Sequence, residues 1–141
     1  MKVLVTGAAG FIGGQLWHKL WQRGDEVVGI DNFSYGNLDN LKFDDHDFGA
    51  EVQKMDIRDK AGMLQLFEEE KFEVVYNIAG IAPLPDCQSD PVQAIEVNTL
   101  GLVNLLEAGR RTGIRQLVQA STNAMYENET EFPTVESKFN P

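Results

Sequence analysis

The sequence predicts a doubly wound α/β domain built on a parallel sheet, and three observations carry that prediction. Short β-branched runs alternate with longer helical patterns along the whole chain, which is the signature of successive strand–helix–strand units. The connections between them are short, so sequential strands run parallel with helices between them. The first strand also passes directly into a glycine-rich turn and a helix, and an acidic residue closes the second strand about 20 residues on. The strand order expected from this pattern is 3-2-1-4-5, with a ligand lying across the carboxyl ends of the strands.

Lys2-Val3-Leu4-Val5 reads as a buried strand, and Thr6 to Gly13 supplies Gly7, Gly10 and Gly13. Phe11, Ile12, Leu16 and Leu20 then set a helical period from about 11 to 23, ending at Gly24 as a C-cap. A glycine-rich turn in this position lets the backbone approach a pyrophosphate, whose charge meets the first-turn N–H groups and the positive end of the helix dipole. The competing reading is a tight strand–helix turn with no ligand. Gly14 lies inside the first helical turn, a position that calls for a close backbone approach to offset its cost of roughly 1 kcal/mol. Trp17 and Trp21 are spaced to pack on one helical face.

Glu26 to Ile30 is the second strand, and Asp31 stands at its carboxyl end. A carboxylate there accepts hydrogen bonds from an adenosine ribose and repels a 2′-phosphate, which favours NAD over NADP. The alternative for Asp31 is a strand-terminal cap of a turn. Residues 32–47 are polar and turn-rich, a loop with one short helical turn. Its Asp44-Asp45-His46-Asp47 run reads as solvated surface, because consecutive carboxylates do not share one face as ligands of a metal must. No metal site is expected. His18 and His46, the two histidines, have no nucleophile partner in sequence.

Residues 51–55 make a third strand, followed by a helix over 60–70 with Met63, Leu64 and Phe67 as its apolar stripe. Residues 73–77 form the fourth strand and lead into Ile78-Ala79-Gly80-Ile81-Ala82, where small side chains again permit close approach to a ligand. The proline-rich stretch 83–91 reads as a loop. A long helix over 92–112 carries two apolar faces, one through Ile95, Asn98, Leu102 and Leu106 and one through Val97, Gly101, Leu105 and Ala108. One face suits the sheet and the other a further helix or a subunit. Asn98 requires a hydrogen-bond partner, either as a structural bridge or at the cofactor. Residues 116–120 are the fifth strand, and Ser121-Thr122-Asn123 follow.

The chain has 141 residues and a formal charge of −10. That length buries one proper core, and the charge argues against nucleic acid or anionic membrane as partners. No apolar run reaches the length of a bilayer span, and Met1-Lys2 lead straight into a structural strand rather than a leader. The single cysteine, Cys87, has no partner for an internal disulfide, and a cytoplasmic location is expected.

Taken together, these motifs resemble the N-terminal portion of the extended short-chain dehydrogenase/reductases, in particular the NAD-dependent nucleotide-sugar epimerases and dehydratases. Thr6-Gly7-Ala8-Ala9-Gly10-Phe11-Ile12-Gly13 is similar to that family's TGxxGxxG phosphate loop, and Asp31-Asn32 to its adenosine-ribose pair. Asp56-Ile57 resembles the turn that holds adenine, and Asn77-Ile78-Ala79-Gly80 the segment that floors the nicotinamide half. Val97-Asn98 and Leu105 to Ala108 are similar to the family's long helix. Ser121 to Tyr126 resembles its S[ST]xxVY segment, which puts Thr122 at the catalytic Ser/Thr. The resemblance implies a Rossmann-type domain over 1–126 that binds NAD, and an irregular acidic tail over 127–141.

Two departures are local: Asn77 stands where most members have His, and Glu127 where Gly follows the tyrosine. A larger one is that no Tyr-x-x-x-Lys occurs in the sequence. In the family that tyrosine, its pKa lowered by the lysine, takes a hydroxyl proton as hydride passes to NAD. The resemblance therefore implies a chain truncated before this motif, with its last strand or strands and substrate domain missing, and itself inactive. A stand-alone NAD(H)-binding sensor or interaction module is the alternative, and completion in trans by a second chain a third. If a sixth strand normally lies beside the fifth, its absence leaves an apolar edge, and a homodimer or self-association is expected.

Overall fold

β1 (Lys2–Thr6), β2 (Glu26–Asp31), β3 (Gln53–Lys54), β4 (Val74–Asn77) and β5 (Gln116–Gln119) form one parallel sheet in the order β3-β2-β1-β4-β5. The computed structural model describes residues 1–122, 126, 130 and 133–135. Most of the tail expected over 127–141 lies outside the described residues, as do Asn123, Ala124 and Met125 of the segment that follows β5.

Register follows from burial on both faces. Val3 and Val5 of β1 enter one core layer and Leu4 the other, so a slip of one residue would exchange the layers. Leu4, Ile30 and Val75 pack with Met63 and Phe67 of α2 (Lys60–Glu70) and with Leu105 and Ala108 of α5 (Leu102–Thr112, below). On the opposite face Val3, Val5 and Val74 pack with Trp17 and Leu20 of α1 (Phe11–Gln22) and with Leu41 and Phe48. Leu41 and Phe48 come from two 3₁₀ turns, Leu38–Leu41 and Phe48–Ala50, where the pattern predicts one short helical turn. Trp17 is fully buried, its ring 4.9 Å from that of Phe48, whereas Trp21 is partly exposed beside His46.

Several boundaries move for physical reasons. α1 ends one residue before the expected Arg23, which caps it ahead of Gly24 at φ 89°. β3 shrinks from five residues to Gln53–Lys54 because only Ile30 and Asp31 offer partners at this sheet edge. The close approach at Gly14 is to neither strand nor cofactor but to the first 3₁₀ turn, since a Cβ there would stand 2.4 Å from the Asn40 carbonyl oxygen.

The stretch read as a proline-rich loop holds a short helix, α3 (Leu84–Ser89). Pro85 sits in its first turn, where a missing N–H costs nothing, and Pro91 opens the next helix in the same way. Asp90 caps that helix, α4 (Pro91–Ile95), by accepting the Gln93 N–H at 3.0 Å. The expected single helix over 92–112 is divided: α4 passes into a π-helical turn, Glu96–Gly101, before α5. Of the two apolar faces, the one through Val97, Gly101, Leu105 and Ala108 meets the core, and Gly101 admits the Ile57 side chain. Ile95 and Leu106 of the second face are exposed. Asn98, expected on a buried surface, lies on an exposed part of the π turn, although its amide makes one hydrogen bond through each polar atom.

Candidate functional site

The carboxyl ends of β1, β2 and β4 open into a groove of about 520 Å³. Its floor is the glycine-rich turn. Gly7 adopts φ 65°, and a Cβ there would lie 2.8 Å from the Ala79 nitrogen, while a Cβ at Gly13 would fall 2.0 Å from the Gly7 carbonyl oxygen. Only glycine lets β1, the start of α1 and the segment after β4 converge this closely. α1 begins at Gly10 with no side-chain cap and no acidic residue in its first turn. Its first N–H groups and dipole are thus left for an anion.

Gly7, Gly10, Phe11, Ile12, Gly13, Asp31, Asn32, Ile57, Ile78, Ala79 and Gly80 all line this groove. Phe11 and Ile12 are strongly exposed for large apolar side chains, a cost that covering a flat ligand would recover.

Asp31 is buried, and its carboxylate is the junction of two loops. Oδ2 accepts the Ala9 N–H at 2.9 Å and Oδ1 the Phe33 N–H at 2.7 Å. Of the two readings of this residue, ribose acceptor or turn cap, the geometry supplies the cap while leaving acceptor capacity, since a carboxylate takes about four hydrogen bonds. Asn32 continues the junction: its amide donates to Asp56 Oδ2 at 3.0 Å and its oxygen accepts the Ser34 N–H at 2.9 Å.

Asp56, Asn98 and Thr122 do not line the groove. The Asp56 carboxylate faces Arg58, which donates to it from Nε at 3.0 Å and Nη2 at 2.8 Å. This guanidinium, with the Asn32 amide, holds the carboxyl far below its ordinary value. Asn98 bridges from behind: Oδ1 accepts the Ile81 N–H at 2.8 Å and Nδ2 donates to the Ile81 carbonyl at 3.0 Å. Thr122 is exposed just past β5.

A chain of polar side chains crosses the sheet, from buried Thr6 and Asn77 to exposed Gln119. The Thr6 hydroxyl donates to Asn77 Oδ1 at 2.5 Å and accepts the Ala79 N–H at 3.1 Å, and Asn77 Nδ2 donates to Gln119 Oε1 at 2.7 Å. Asn77 therefore does a two-sided job, accepting on one side and donating on the other, between the end of β1 and the strand that leads to Thr122.

Sequence reasoning missed Ser34, Tyr35, Gly36, Met55, Arg58, Gln93 and Val97, which also line the groove, as does Ile81 of the small-residue segment after β4. The first three follow Asp31-Asn32 directly, and the loop after β2 has to flank a ligand at the carboxyl edge. Gln93 and Val97 carry no such local signal. His18 and His46 lie elsewhere, paired with Asp45 at 2.7 Å and Glu51 at 2.5 Å on the α1 side. Among the described residues no three His, Cys, Asp or Glu side chains are grouped to hold a metal ion.

A family model described as the NAD dependent epimerase/dehydratase family matches residues 3–141. The UDP-glucose 4-epimerase of Mycolicibacterium smegmatis is 38% identical over 137 residues, which cover 96% of this chain and 44% of that protein. A UDP-glucose 4-epimerase of Klebsiella pneumoniae is 32% identical over 139 residues, 97% of this chain and 100% of the Klebsiella sequence. Among solved structures, the Thermus thermophilus UDP-glucose 4-epimerase in complex with NAD superposes with a TM-score of 0.85 at 39% identity. That match covers 100% of this chain and 44% of the Thermus chain. The chain thus spans less than half the length of the Mycolicibacterium and Thermus proteins.

Proposed function

This chain belongs to the NAD-dependent epimerase/dehydratase family, and from that premise we propose that it is the cofactor-binding portion of a nucleotide-sugar epimerase or dehydratase. The observation that carries the proposal is the convergence of the phosphate turn, the uncapped start of α1, Asp31 and the Ile78–Gly80 segment on one groove. The cradle fits a dinucleotide: Cβ atoms at Gly7 or Gly13 would strike the Ala79 backbone and the Gly7 carbonyl, so glycine alone closes the turn, and its anion site is made of backbone N–H groups, so an acidic chain can still hold phosphates.

In this reading the first turn of α1 and Gly7 to Gly13 hold the pyrophosphate, and Asp31 with Asn32 takes the adenosine ribose. Asp31 also excludes a 2′-phosphate by charge, which makes NAD the cofactor. Asp56 fixes the adenine end indirectly through Asn32 and Arg58, while Ile57 lines it. Ile78, Ala79 and Gly80 floor the nicotinamide half, with Asn98 holding that segment through Ile81. When bound, NAD supplies the acceptance and return of a hydride at the sugar. Thr122 is proposed to hydrogen-bond the reacting sugar hydroxyl and cannot replace the family's tyrosine base. Since no Tyr-x-x-x-Lys is among these 141 residues, this stretch by itself binds NAD without turnover.

The domain is proposed to occupy 1–126, with 127–141 as its tail, in a cytoplasmic protein that contacts neither nucleic acid nor membrane. No helix among the described residues is long and apolar enough to cross a bilayer. A homodimer is also proposed, supported by the exposed apolar side chains along α4, the π turn and α5. Titration of the chain with NADH and NADPH, followed by tryptophan-to-nicotinamide energy transfer, tests the cofactor assignment. Saturable NADH binding with much weaker NADPH binding is the expected result, and no binding of either overturns it.

A further inference from the structure

We propose that Tyr35 and Asp86 form a latch across the mouth of the groove that slows the entry and escape of NAD, an inference that rests on the cofactor assignment above. The Tyr35 hydroxyl donates to Asp86 Oδ2 at 2.5 Å, joining residues 51 apart in sequence. Tyr35 belongs to the loop after β2 and lines the groove. Asp86 belongs to α3, which follows the Ile78–Ile81 segment on the opposite bank. Their contact therefore links the two banks of the groove.

Both banks are anchored independently of the contact. On one side Asp31 and Asn32 accept the Phe33 and Ser34 N–H groups, and the Asn37 N–H donates to the Ala9 carbonyl of the phosphate turn at 2.9 Å. Phe33 is fixed there in a left-handed conformation at φ 62°. On the other side Cys87 Sγ donates to the Ile81 carbonyl at 3.5 Å, and Asn98 clasps the same residue. Only the bridge itself is an exposed side-chain pair, so it is the part that opens first. The carboxylate raises the Tyr35 phenol above its ordinary value, and the donor keeps its proton across the neutral range.

The latch joins two side chains of the protein and engages no group of the cofactor, which sets its kinetic signature. Breaking it lowers the barrier in both directions, so association and dissociation quicken together and the equilibrium constant changes little. Stopped-flow mixing of the chain with NADH measures both rates. Tyr35→Phe, which keeps the ring on the groove wall, and Asp86→Ala are each expected to raise both rates roughly fivefold, the equivalent of one modest hydrogen bond. The double variant is expected to be no faster than either single one, and Asp86→Asn, whose amide oxygen still accepts, to stay near the parent rates. Unchanged rates in Tyr35→Phe and Asp86→Ala, or effects that add in the double variant, overturn the latch while leaving the cofactor assignment standing. Absence of NADH binding in the parent chain overturns both.

Discussion

The carboxylate of Asp31 accepts the backbone N–H of Ala9 at 2.9 Å, which ties the end of β2 to the phosphate turn after β1. One side chain thereby fixes the shape of the turn and lines the groove. Asp31→Ala is expected to weaken NADH binding by more than about tenfold. It should also lower stability by about 2 kcal/mol, since two amides lose their acceptor. A fluorescence titration and a thermal melt read the two effects separately, and unchanged affinity removes Asp31 from the site.

Asn77 stands between buried Thr6 and exposed Gln119 in a chain of hydrogen bonds. Asn77→Ala leaves the buried Thr6 hydroxyl without its acceptor and opens a void beside it, while exposed Gln119 turns to water, at an expected cost of about 2–3 kcal/mol. In a domain of this size that lowers Tm by roughly 6–12 °C. A neutral imidazole can also accept on one nitrogen and donate on the other. Asn77→His is therefore expected to recover more than half of the loss above pH 7, measured by circular dichroism. Equal melting of the two variants would show that the chain contributes shape and no hydrogen bonding.

What is legible in the sequence is whatever local spacing encodes. The phosphate turn, Asp31 and the Ile78–Gly80 segment announce themselves because each sits at the carboxyl end of a strand, and parallel topology then brings those ends together. The helical faces of Val97, Gly101, Leu105 and Ala108 are readable for the same reason, although the intervening π turn is not. An α and a π turn bury nearly the same side chains over so short a stretch, so periodicity does not separate them. The prolines hide α3, because Pro85 and Pro91 break a helix only when they fall past its first turn. Tyr35 and Asp86, Asn98 and Ile81, and Thr6, Asn77 and Gln119 are pairings across loops or strands. Nothing in the spacing of one partner points to the other.

Acid should expose the Asp56–Arg58 pair. Arg58 holds the Asp56 carboxyl well below its ordinary value of 3.8. The folded state thus takes up this proton only at lower pH than the unfolded chain does. The stabilisation is complete above the ordinary value and is lost as pH falls from about 5 through the folded value. Asp56→Asn is expected to be less stable than the parent at pH 7 and to show a shallower decline in stability between about pH 5 and pH 2. Parallel urea-midpoint curves for the two proteins across that range would exclude Asp56 as a contributor to acid unfolding.

Val92, Ile95, Leu100, Val103 and Leu106 are 65%, 59%, 52%, 50% and 47% exposed along α4, the π turn and α5, apolar area that water solvates poorly. β5 offers a second route to self-association, since it pairs only with β4 among the described strands and carries half-buried Leu117 and Val118. The two routes separate by mutation. If the helices make the contact, Ile95→Glu with Val103→Glu places charges where apolar side chains would meet, and light scattering at micromolar concentration should shift from dimer to monomer with NADH affinity retained. If the strand edge makes it, Val118→Lys should do so instead, because a charge on an edge strand blocks further pairing. The helical route is the expected one: five large side chains expose far more apolar area there than the four-residue edge does. A monomeric parent chain at micromolar concentration refutes self-association by either route.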